Sequence, residues 1–182
     1  MSKPTNSGDG VTRPRAVVIG PPGAGKSTVG MLLAQLLDVT FRDVDADIVR
    51  AVGRPIADIF TSDGETVFRE LEEQHTAAAL TDHEGVLALG GGAILSARTR
   101  ALLAEHTVVF LNVGLAEGVK RTGLSTARPL LAGVNPRATF KALLDARLPL
   151  YREVAVVEVN TDERTPAELA DDILGRLRAH AH

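Results

Sequence analysis

GPPGAGKS, at residues 20–27, matches the pattern G-x-x-x-x-G-K-[ST]. A short apolar run, RAVVI at residues 15–19, comes directly before it, and residues 27–37 follow with apolar side chains at helical spacing. These flanking patterns favour a strand and a helix. The order of strand, glycine-rich loop and helix is the setting in which this pattern binds the phosphates of a nucleoside triphosphate. A chance Gly/Pro turn that holds a lysine would require neither flanking element.

Each part of this loop has a chemical reason to be there. The glycines let the backbone curl so that several N–H groups point at phosphate oxygens, and the helix adds the positive end of its dipole. Lys26 is expected to bridge the β- and γ-phosphates, and the Ser27 hydroxyl to bind Mg²⁺. The predicted nucleotide-binding residues of the loop are Gly23, Ala24, Gly25, Lys26, Ser27 and Thr28. The loop does not indicate which molecule receives the phosphate.

Further along the chain, short apolar runs alternate with helical patterns. The predicted strands are residues 15–19, 40–43, 86–89, 107–113 and 154–159. The predicted helices are residues 27–37, 46–52, 64–80, 96–105, 115–121, 136–152 and 165–178, with a short turn at 55–60. This alternation predicts an α/β fold of three layers, in which helices cover both faces of a five-stranded parallel sheet. Ligands of such sheets bind outside the carboxyl ends of the strands.

Composition limits the protein's organisation and its partners. Residues 1–14 are polar and rich in Ser, Thr, Gly and Pro, which predicts a disordered tail rather than a signal peptide. Residues 15–182 are then expected to form a single domain. The net charge of −3 argues against a nucleic-acid partner. No apolar run approaches the roughly 20 residues that span a bilayer, so we expect a cytoplasmic protein without a membrane partner.

The residue types present also exclude some chemistry. The chain has no cysteine, which rules out disulfides, a cysteine nucleophile and a cysteine-ligated zinc site. Its 5 histidines lack a metal-binding spacing, so none is assigned to a metal.

Alternating acidic residues follow the second predicted strand. Asp43 and Asp45 would face the same side while the chain is extended. Two carboxylates beside a triphosphate suggest one role at Mg²⁺ and one at an acceptor hydroxyl. Aspartate also favours the position that caps a helix, and the pattern alone does not separate these two interpretations.

Arginines and a glycine triplet supply the remaining candidates. Arg69 precedes Glu72 by three positions in a predicted helix, which is typical of a solvated ion pair. Arg128 and Arg147, taken alone, are typical surface arginines. The triplet at residues 90–92 is less easily explained by packing, because three glycines cost backbone entropy and suggest a ligand close to the main chain.

Taken together, these motifs resemble those of the shikimate kinase family. They occur in the family's order, over all of the chain except the N-terminal tail. They are GPPGAGKST (20–28), DVD (43–45), FRELE (68–72), GGG (90–92), RPLL (128–131) and RLPLY (147–151). No departure is found at these core motifs.

The resemblance implies a P-loop kinase fold with a mobile lid and a helical acceptor-binding subdomain. It implies transfer of phosphate from ATP to the 3-hydroxyl of shikimate, with Mg²⁺ as cofactor, in aromatic amino acid biosynthesis. The lid would be residues 122–136 and the acceptor-binding region residues 44–72. We expect a monomer, because nothing in the sequence requires an oligomer.

The resemblance also implies roles for individual residues. Asp43 would hold Mg²⁺ through water, with Ser27 as a direct ligand. Asp45 would orient or deprotonate the attacking hydroxyl, and Lys26 and the lid residue Arg128 would neutralise phosphate charge. The implied shikimate-binding residues are Asp45, Arg69, Gly90, Gly91, Gly92 and Arg147, and the implied adenine-flanking residues are Arg121 and Arg164.

Two other classes of function remain open at this stage. The phosphate loop alone also fits a gluconate or nucleoside monophosphate kinase. A nucleotide switch or a partner-directed ATPase is the second alternative. Residues 82–85 fit D-x-x-G, but they precede a predicted strand instead of following one, and no N-K-x-D motif is present.

Overall fold

The computed structural model describes residues 11–122 and 135–181. Its strands are β1 (Ala16–Ile19), β2 (Phe41–Asp43), β3 (Val86–Ala88), β4 (Val108–Asn112) and β5 (Val157–Asn160). Its helices are α1 (Lys26–Leu37), α2 (Val44–Val52), α3 (Ile56–Asp63), α4 (Glu65–Asp82), α5 (Ala97–Leu103), α6 (Leu115–Thr122), α7 (Pro136–Val154) and α8 (Pro166–His180). A single 3₁₀ turn, Ala93–Leu95, follows the glycine triplet.

The five strands form one parallel sheet in the order β2-β3-β1-β4-β5. Side chains alternate across each strand, so Val17 and Ile19 of β1 join one apolar layer while Ala16 and Val18 join the other. Helices α1 and α8 supply the second layer, and α2 to α5 together with Tyr151 of α7 supply the first. The predicted three-layer α/β fold is confirmed.

Helix α2 begins two residues before its predicted start. Asp43 is its N-cap, and the Asp43 carboxylate accepts a hydrogen bond from the Asp45 N–H at 2.9 Å. Asp45 therefore lies in the first helical turn, and the expectation that it continues an extended strand is wrong. The helix begins here because the Asp43 side chain satisfies a backbone N–H of its first turn, and the alternation of acidic residues does not reveal this cap.

The segment after Pro55 is a further correction. It was expected to be a short turn ending at Phe60, but it forms helix α3. Ile59 of α3 is fully buried and Phe60 packs against the same core, so tertiary packing extends the turn into a helix.

Strand β5 begins later than its apolar run suggests, because α7 continues through Val154. Val154 and Tyr151 are one turn apart in sequence and belong to the same core layer. The Ala155 N–H then donates the last hydrogen bond of the helix to the Tyr151 carbonyl at 3.1 Å.

The predicted lid lies almost wholly in residues 123–134, outside the described residues. No helix in the two described ranges is long and apolar enough to cross a membrane.

Candidate active site

The order of the strands brings the sequence motifs to one edge of the sheet. The phosphate loop follows β1, the acidic pair follows β2 and the glycine triplet follows β3, and these three strands are adjacent. Asp43 is paired in register with Ala88, which is paired in turn with Val18. The carboxyl ends of parallel strands therefore place all three motifs around one groove of about 310 Å³.

The phosphate loop has the backbone form that its glycines predict. Gly23 and Gly25 have φ of +81° and +86°, which other residues rarely adopt. Gly25 is the N-cap of α1 and no side chain caps that helix, so its first N–H groups point to the groove without a side-chain acceptor. A helix start of this kind is suited to binding an anion.

Lys26 lies over this loop. Its ammonium group donates hydrogen bonds to the carbonyl oxygens of Gly20 and Pro21 at 2.9 and 3.1 Å. These contacts hold the side chain along the loop, so a triphosphate oxygen entering the loop would meet the ammonium there.

Ser27 and Asp43 form an oxygen-rich pair beside the loop. The Ser27 hydroxyl donates to Asp43 Oδ2 at 3.0 Å, while Asp43 Oδ1 caps α2. One carboxylate thus performs both the capping and the groove-facing roles that the sequence left as alternatives. Hydroxyl and carboxylate oxygens are ligands that Mg²⁺ accepts, and Mg²⁺ takes its other ligands from water and phosphate. The described residues contain no group of three or more His, Cys, Asp or Glu that could enclose a metal alone.

Asp45 lies against the glycine triplet. A Cβ atom added at Gly90 would lie 2.8 Å from Asp45 Oδ1 and 2.8 Å from Glu72 Oε2. Neither carboxylate could keep its position if residue 90 had a side chain. The triplet therefore begins with a glycine because two carboxylates approach its backbone.

Arg69 and Glu72 are a buried pair rather than the solvated pair that their spacing favours. The guanidinium donates to Glu72 Oε1 at 2.8 Å, and Glu72 is only 3% exposed. Arg69 also lies over the rings of Phe60 and Phe68, at 5.7 and 5.4 Å from their centroids. A cation held by the carboxylates of Glu65 and Glu72 and by two aromatic faces has a fixed position.

Glu72 is the functional candidate that reasoning from the sequence missed. Burial raises the pKa of its carboxyl, and the charge of Arg69 and a hydrogen bond from it, followed by the charges of Arg147 and Lys26, act in the opposite direction. These three cations come from three different helical segments and surround one carboxylate. Its place in FRELE was visible in the sequence, but its burial was not.

Arg147 is a buried cation, with 6% of its surface exposed. It makes no ion pair within 4 Å among the residues of the two described ranges. Burying a charge is costly unless it is paired. Such an arginine is suited to an anion that is not part of the protein.

The rest of the triplet is held between the phosphate loop and Arg69. A Cβ at Gly91 would be 3.0 Å from Cδ of Pro22, and one at Gly92 would overlap the Arg69 guanidinium. The predicted acceptor residues of α2, α4, α7 and the loop after β3 are therefore brought together.

Thr28 lies beside Ser27 at the start of α1 and lines the groove of about 310 Å³ around the phosphate loop.

The two arginines predicted to flank adenine are placed differently. Arg121 donates to the Gly23 carbonyl at 3.0 Å and pairs with Glu117 at 3.3 Å, so it borders the phosphate loop. Arg164 pairs with Asp172 at 3.0 Å, within the start of α8. Arg128 lies outside the described residues.

Comparison with known proteins agrees with this geometry. The family model described as shikimate kinase matches residues 22–178. The chain is 70% identical to a shikimate kinase of Saccharopolyspora erythraea, over 91% of this chain and 95% of that protein. It is 57% identical to a shikimate kinase of Streptomyces avermitilis, over 92% and 97%.

A solved structure supports the same grouping. Shikimate kinase from Acinetobacter baumannii in complex with shikimate superposes with a TM-score of 0.89 at 38% identity, covering 93% of this chain and 94% of that one. The match spans the phosphate loop, the glycine triplet and α7 alike, so it is not limited to the nucleotide-binding part. The chain belongs to the shikimate kinase family.

Proposed function

We propose that this chain transfers the γ-phosphoryl group of ATP to the 3-hydroxyl of shikimate, giving shikimate 3-phosphate and ADP. The observation that carries the acceptor assignment is the buried guanidinium of Arg147, which makes no ion pair within 4 Å among the described residues. Shikimate has one carboxylate and three hydroxyl groups, and this site offers the guanidinium groups of Arg69 and Arg147 for the carboxylate and the Asp45 carboxylate for a hydroxyl.

The acceptor is held by groups from different elements. Arg69 and Arg147 bind the shikimate carboxylate, because planar guanidinium groups match both of its oxygens. The backbone of the triplet, Gly90 to Gly92, lies against the ring, since side chains there would collide with Asp45, Glu72 and Arg69. Glu72 keeps Arg69 in place through the 2.8 Å contact.

The donor is held by the phosphate loop. Backbone N–H groups of Gly23, Ala24 and Gly25 and the start of α1 receive the phosphates, and Lys26 moves from loop carbonyls to the β- and γ-oxygens. Mg²⁺ would be bound by Ser27 directly and by Asp43 through water, and when bound it would neutralise charge on the phosphate oxygens. Arg121 lies at the edge of this site, on the Gly23 carbonyl.

The transfer itself needs alignment more than covalent help from the protein. Asp45 orients the 3-hydroxyl and accepts its proton as the new O–P bond forms and the bond to the β-phosphate oxygen breaks. Lys26 and Arg128 of the proposed lid, residues 122–136, stabilise the charge on the transferred group. Lid closure would exclude water, which would otherwise hydrolyse ATP.

An assay of ADP release with alternative acceptors tests this proposal. Shikimate, gluconate and nucleoside monophosphates are supplied in parallel with ATP and Mg²⁺. We expect rapid release with shikimate alone. Turnover of gluconate or of a nucleoside monophosphate while shikimate is inert would refute the proposal, and slow hydrolysis that ignores every acceptor would favour a nucleotide switch.

The remaining parts of the proposal concern assembly and location. We propose that the chain acts as a monomer in the cytoplasm, since nothing in its sequence requires an oligomer and no apolar run approaches the length that spans a bilayer. Size-exclusion chromatography with light scattering, at working enzyme concentration and with both substrates present, tests the first statement. Fractionation of the cells that make the protein tests the second.

A further inference from the structure

Tyr151 ends the RLPLY stretch and has no part in the chemistry described so far. It is 1% exposed, and its ring stacks on Phe110 of β4, with centroids 4.8 Å apart and planes 17° apart. The ring therefore packs in the core like any buried aromatic side chain. Its hydroxyl is the unusual part, because it reaches the glycine triplet.

The hydroxyl donates a hydrogen bond to the Gly91 carbonyl at 2.5 Å, across 60 positions of sequence. Arg147 lies one helical turn before Tyr151, on the same face of α7. Burial raises the pKa of Tyr151 to about 12, and the charge of Arg147 and a hydrogen bond from it act in the opposite direction. The hydroxyl is thus a neutral donor throughout the physiological pH range, with Gly91 on one side and Arg147 on the other.

This contact orients more than one atom of the triplet. The peptide between Gly91 and Gly92 is planar and trans, so fixing its carbonyl also fixes its N–H, which points the opposite way. Gly92 lies directly against the Arg69 guanidinium. One hydroxyl therefore touches the arginine on α7 and the peptide that borders the arginine on α4.

We propose that the Tyr151 hydroxyl is a positioning group that holds Arg147 and the Gly91–Gly92 peptide in one arrangement for the acceptor. It does not touch the reacting atoms. This inference rests on the proposed function and deepens it, because it names what pre-orders the acceptor side of the site. Pre-ordering matters here because glycines and a long arginine side chain are otherwise free to adopt many conformations.

Tyr151→Phe is the direct test, because it keeps the stacked ring and removes only the hydroxyl. Loss of hydrogen bonds to a carbonyl and to a charged group should raise the KM for shikimate roughly five- to thirtyfold. The KM for ATP should change by less than about twofold, since the hydroxyl does not reach the phosphate loop. If the hydroxyl had a purely structural role, its removal would change the KM for shikimate and the KM for ATP to a similar extent.

Thr76→Val is the matched control. Thr76 is fully buried on α4, and its hydroxyl has no hydrogen-bond partner among the described residues. Its removal also deletes one buried hydroxyl, but no contact with the triplet or with Arg147. We expect both KM values to stay at the wild-type level in this variant.

A double-mutant cycle tests whether Tyr151 acts through Arg147. In an Arg147→Ala background, Tyr151→Phe should raise the shikimate KM by a smaller factor than it does alone, because one of the two groups that the hydroxyl positions is gone. Additive effects of the two changes would contradict the proposal. So would an unchanged shikimate KM in Tyr151→Phe, or equal increases in both KM values.

A measurement on the unaltered protein covers the case in which the variant does not fold. Tyr151 is the only tyrosine, so protein labelled with ¹³C at tyrosine Cζ gives a single resonance. Shikimate should shift this resonance, and ADP alone should shift it less; a resonance unmoved by shikimate would overturn the proposal. If the wild-type enzyme does not phosphorylate shikimate, the proposed function fails instead, which the assay above reports separately.

Discussion

Arg147 and Arg152 differ in environment although they are five positions apart on α7. Arg147 is buried and makes no ion pair within 4 Å in the part of the chain that the structure describes, whereas Arg152 is exposed and pairs with Glu158 at 3.0 Å. The buried cation is costly to the free protein and is compensated when an anion binds. We attribute the difference between the two residues to the proposed acceptor, whose carboxylate would pair with Arg147 and not with Arg152.

Replacement of Arg147 by alanine should weaken shikimate binding by at least about a hundredfold, because a charged hydrogen-bond partner is lost in a buried site. The affinity for ATP should change little. Isothermal titration with each substrate separately measures both effects. Arg152→Ala is the matched control and should bind shikimate as the wild type does; equal loss for both substrates in Arg147→Ala would contradict the assignment.

Lys26 and Lys141 offer a second comparison between single residues. Lys26→Ala should abolish turnover, because the Lys26 ammonium lies along the loop and is the group expected to bridge the β- and γ-phosphates. Its unfolding temperature should stay near the wild-type value. Lys141, exposed and paired with Asp145, provides the control, and Lys141→Ala should keep full activity. Turnover in Lys26→Ala would refute the role given to the phosphate loop.

Titration of Tyr151 gives a prediction about pH. Its pKa is raised by burial to about 12, from 10 in the unfolded chain. The raised pKa means that its contribution to stability is complete below pH 10 and is lost as the pH rises from 10 to 12. Absorbance of the single phenolate should follow the higher value, and Tyr151→Phe should lose less stability over this interval than the wild type. A midpoint near 10 in the folded protein would contradict the burial of the hydroxyl.

At the scale of elements, the backbone of the glycine triplet lies close to three other segments, which are α2, α4 and the phosphate loop. Carboxylates of α2 and α4, the proline of the phosphate loop and the Arg69 guanidinium all lie where side chains of the triplet would be. Residues that need close backbone approach must be glycine whatever their conformation. The neighbouring side chains thus require glycine at these three positions, and a single added methyl group should displace them.

Gly92→Ala should displace Arg69 and weaken shikimate binding, with a smaller effect on ATP. We expect the shikimate KM to rise by about tenfold or more, since a bulky group is forced into a packed site. Gly175 of α8 is the control, because a Cβ there meets nothing within 4 Å. Gly175→Ala should stabilise the helix by about 0.5–1 kcal/mol and leave both KM values unchanged. A wild-type shikimate KM in Gly92→Ala would contradict this prediction, because it would show that Arg69 can shift without weakening shikimate binding.

The Asp43 carboxylate at the start of α2 caps the helix and accepts a hydrogen bond from Ser27, and we propose that it also holds Mg²⁺ through water. Asp43→Asn keeps an oxygen that can accept from the Asp45 N–H, so helix α2 and the unfolding temperature should be preserved. The change removes the charge beside Ser27, and the Mg²⁺ concentration for half-maximal rate should rise by about tenfold. A Mg²⁺ titration of turnover measures this, and loss of stability with unchanged Mg²⁺ dependence would indicate a capping role alone.

For the whole molecule, the site joins parts that lie far apart in the chain. Asp45, Gly91 and Arg147 come from α2, the loop after β3 and α7, so an acceptor bound to them would connect most of the fold. A ligand that binds only the folded state at a hundred times its Kd stabilises that state by about 2.7 kcal/mol. For a chain of this size, we expect the unfolding temperature to rise by roughly 5–10 °C with shikimate.

The same measurement on Arg147→Ala separates specific binding from a general solute effect. Shikimate should leave the unfolding temperature of this variant nearly unchanged, while ADP with Mg²⁺ should still raise it. Equal stabilisation of both proteins by shikimate would place the acceptor elsewhere.

Much of the fold and part of the site were predictable from local sequence. The phosphate loop is contiguous, so its pattern, its preceding strand and its following helix are all visible within residues 15–37. Strands β1, β3 and β4 were found because each is an apolar run that is buried along nearly all of its length. Strand β2 is only partly buried, and β5 alternates buried residues with more exposed ones. The predicted boundaries were wrong where contacts with another element determine them. At α3, the burial of Ile59 stabilises a helix where the sequence predicts a turn.

The sequence by itself determined the fold class and the nucleotide-binding loop, because both depend on residues that are neighbours in the chain. It also supplied the set of acceptor residues, through motifs that resemble those of one family. Only the tertiary structure decided that Glu72 is buried against Arg69, that Asp43 both caps a helix and meets Ser27, and that Tyr151 reaches Gly91. Burial and contact across 60 residues follow from how strands and helices pack, and no local pattern encodes them.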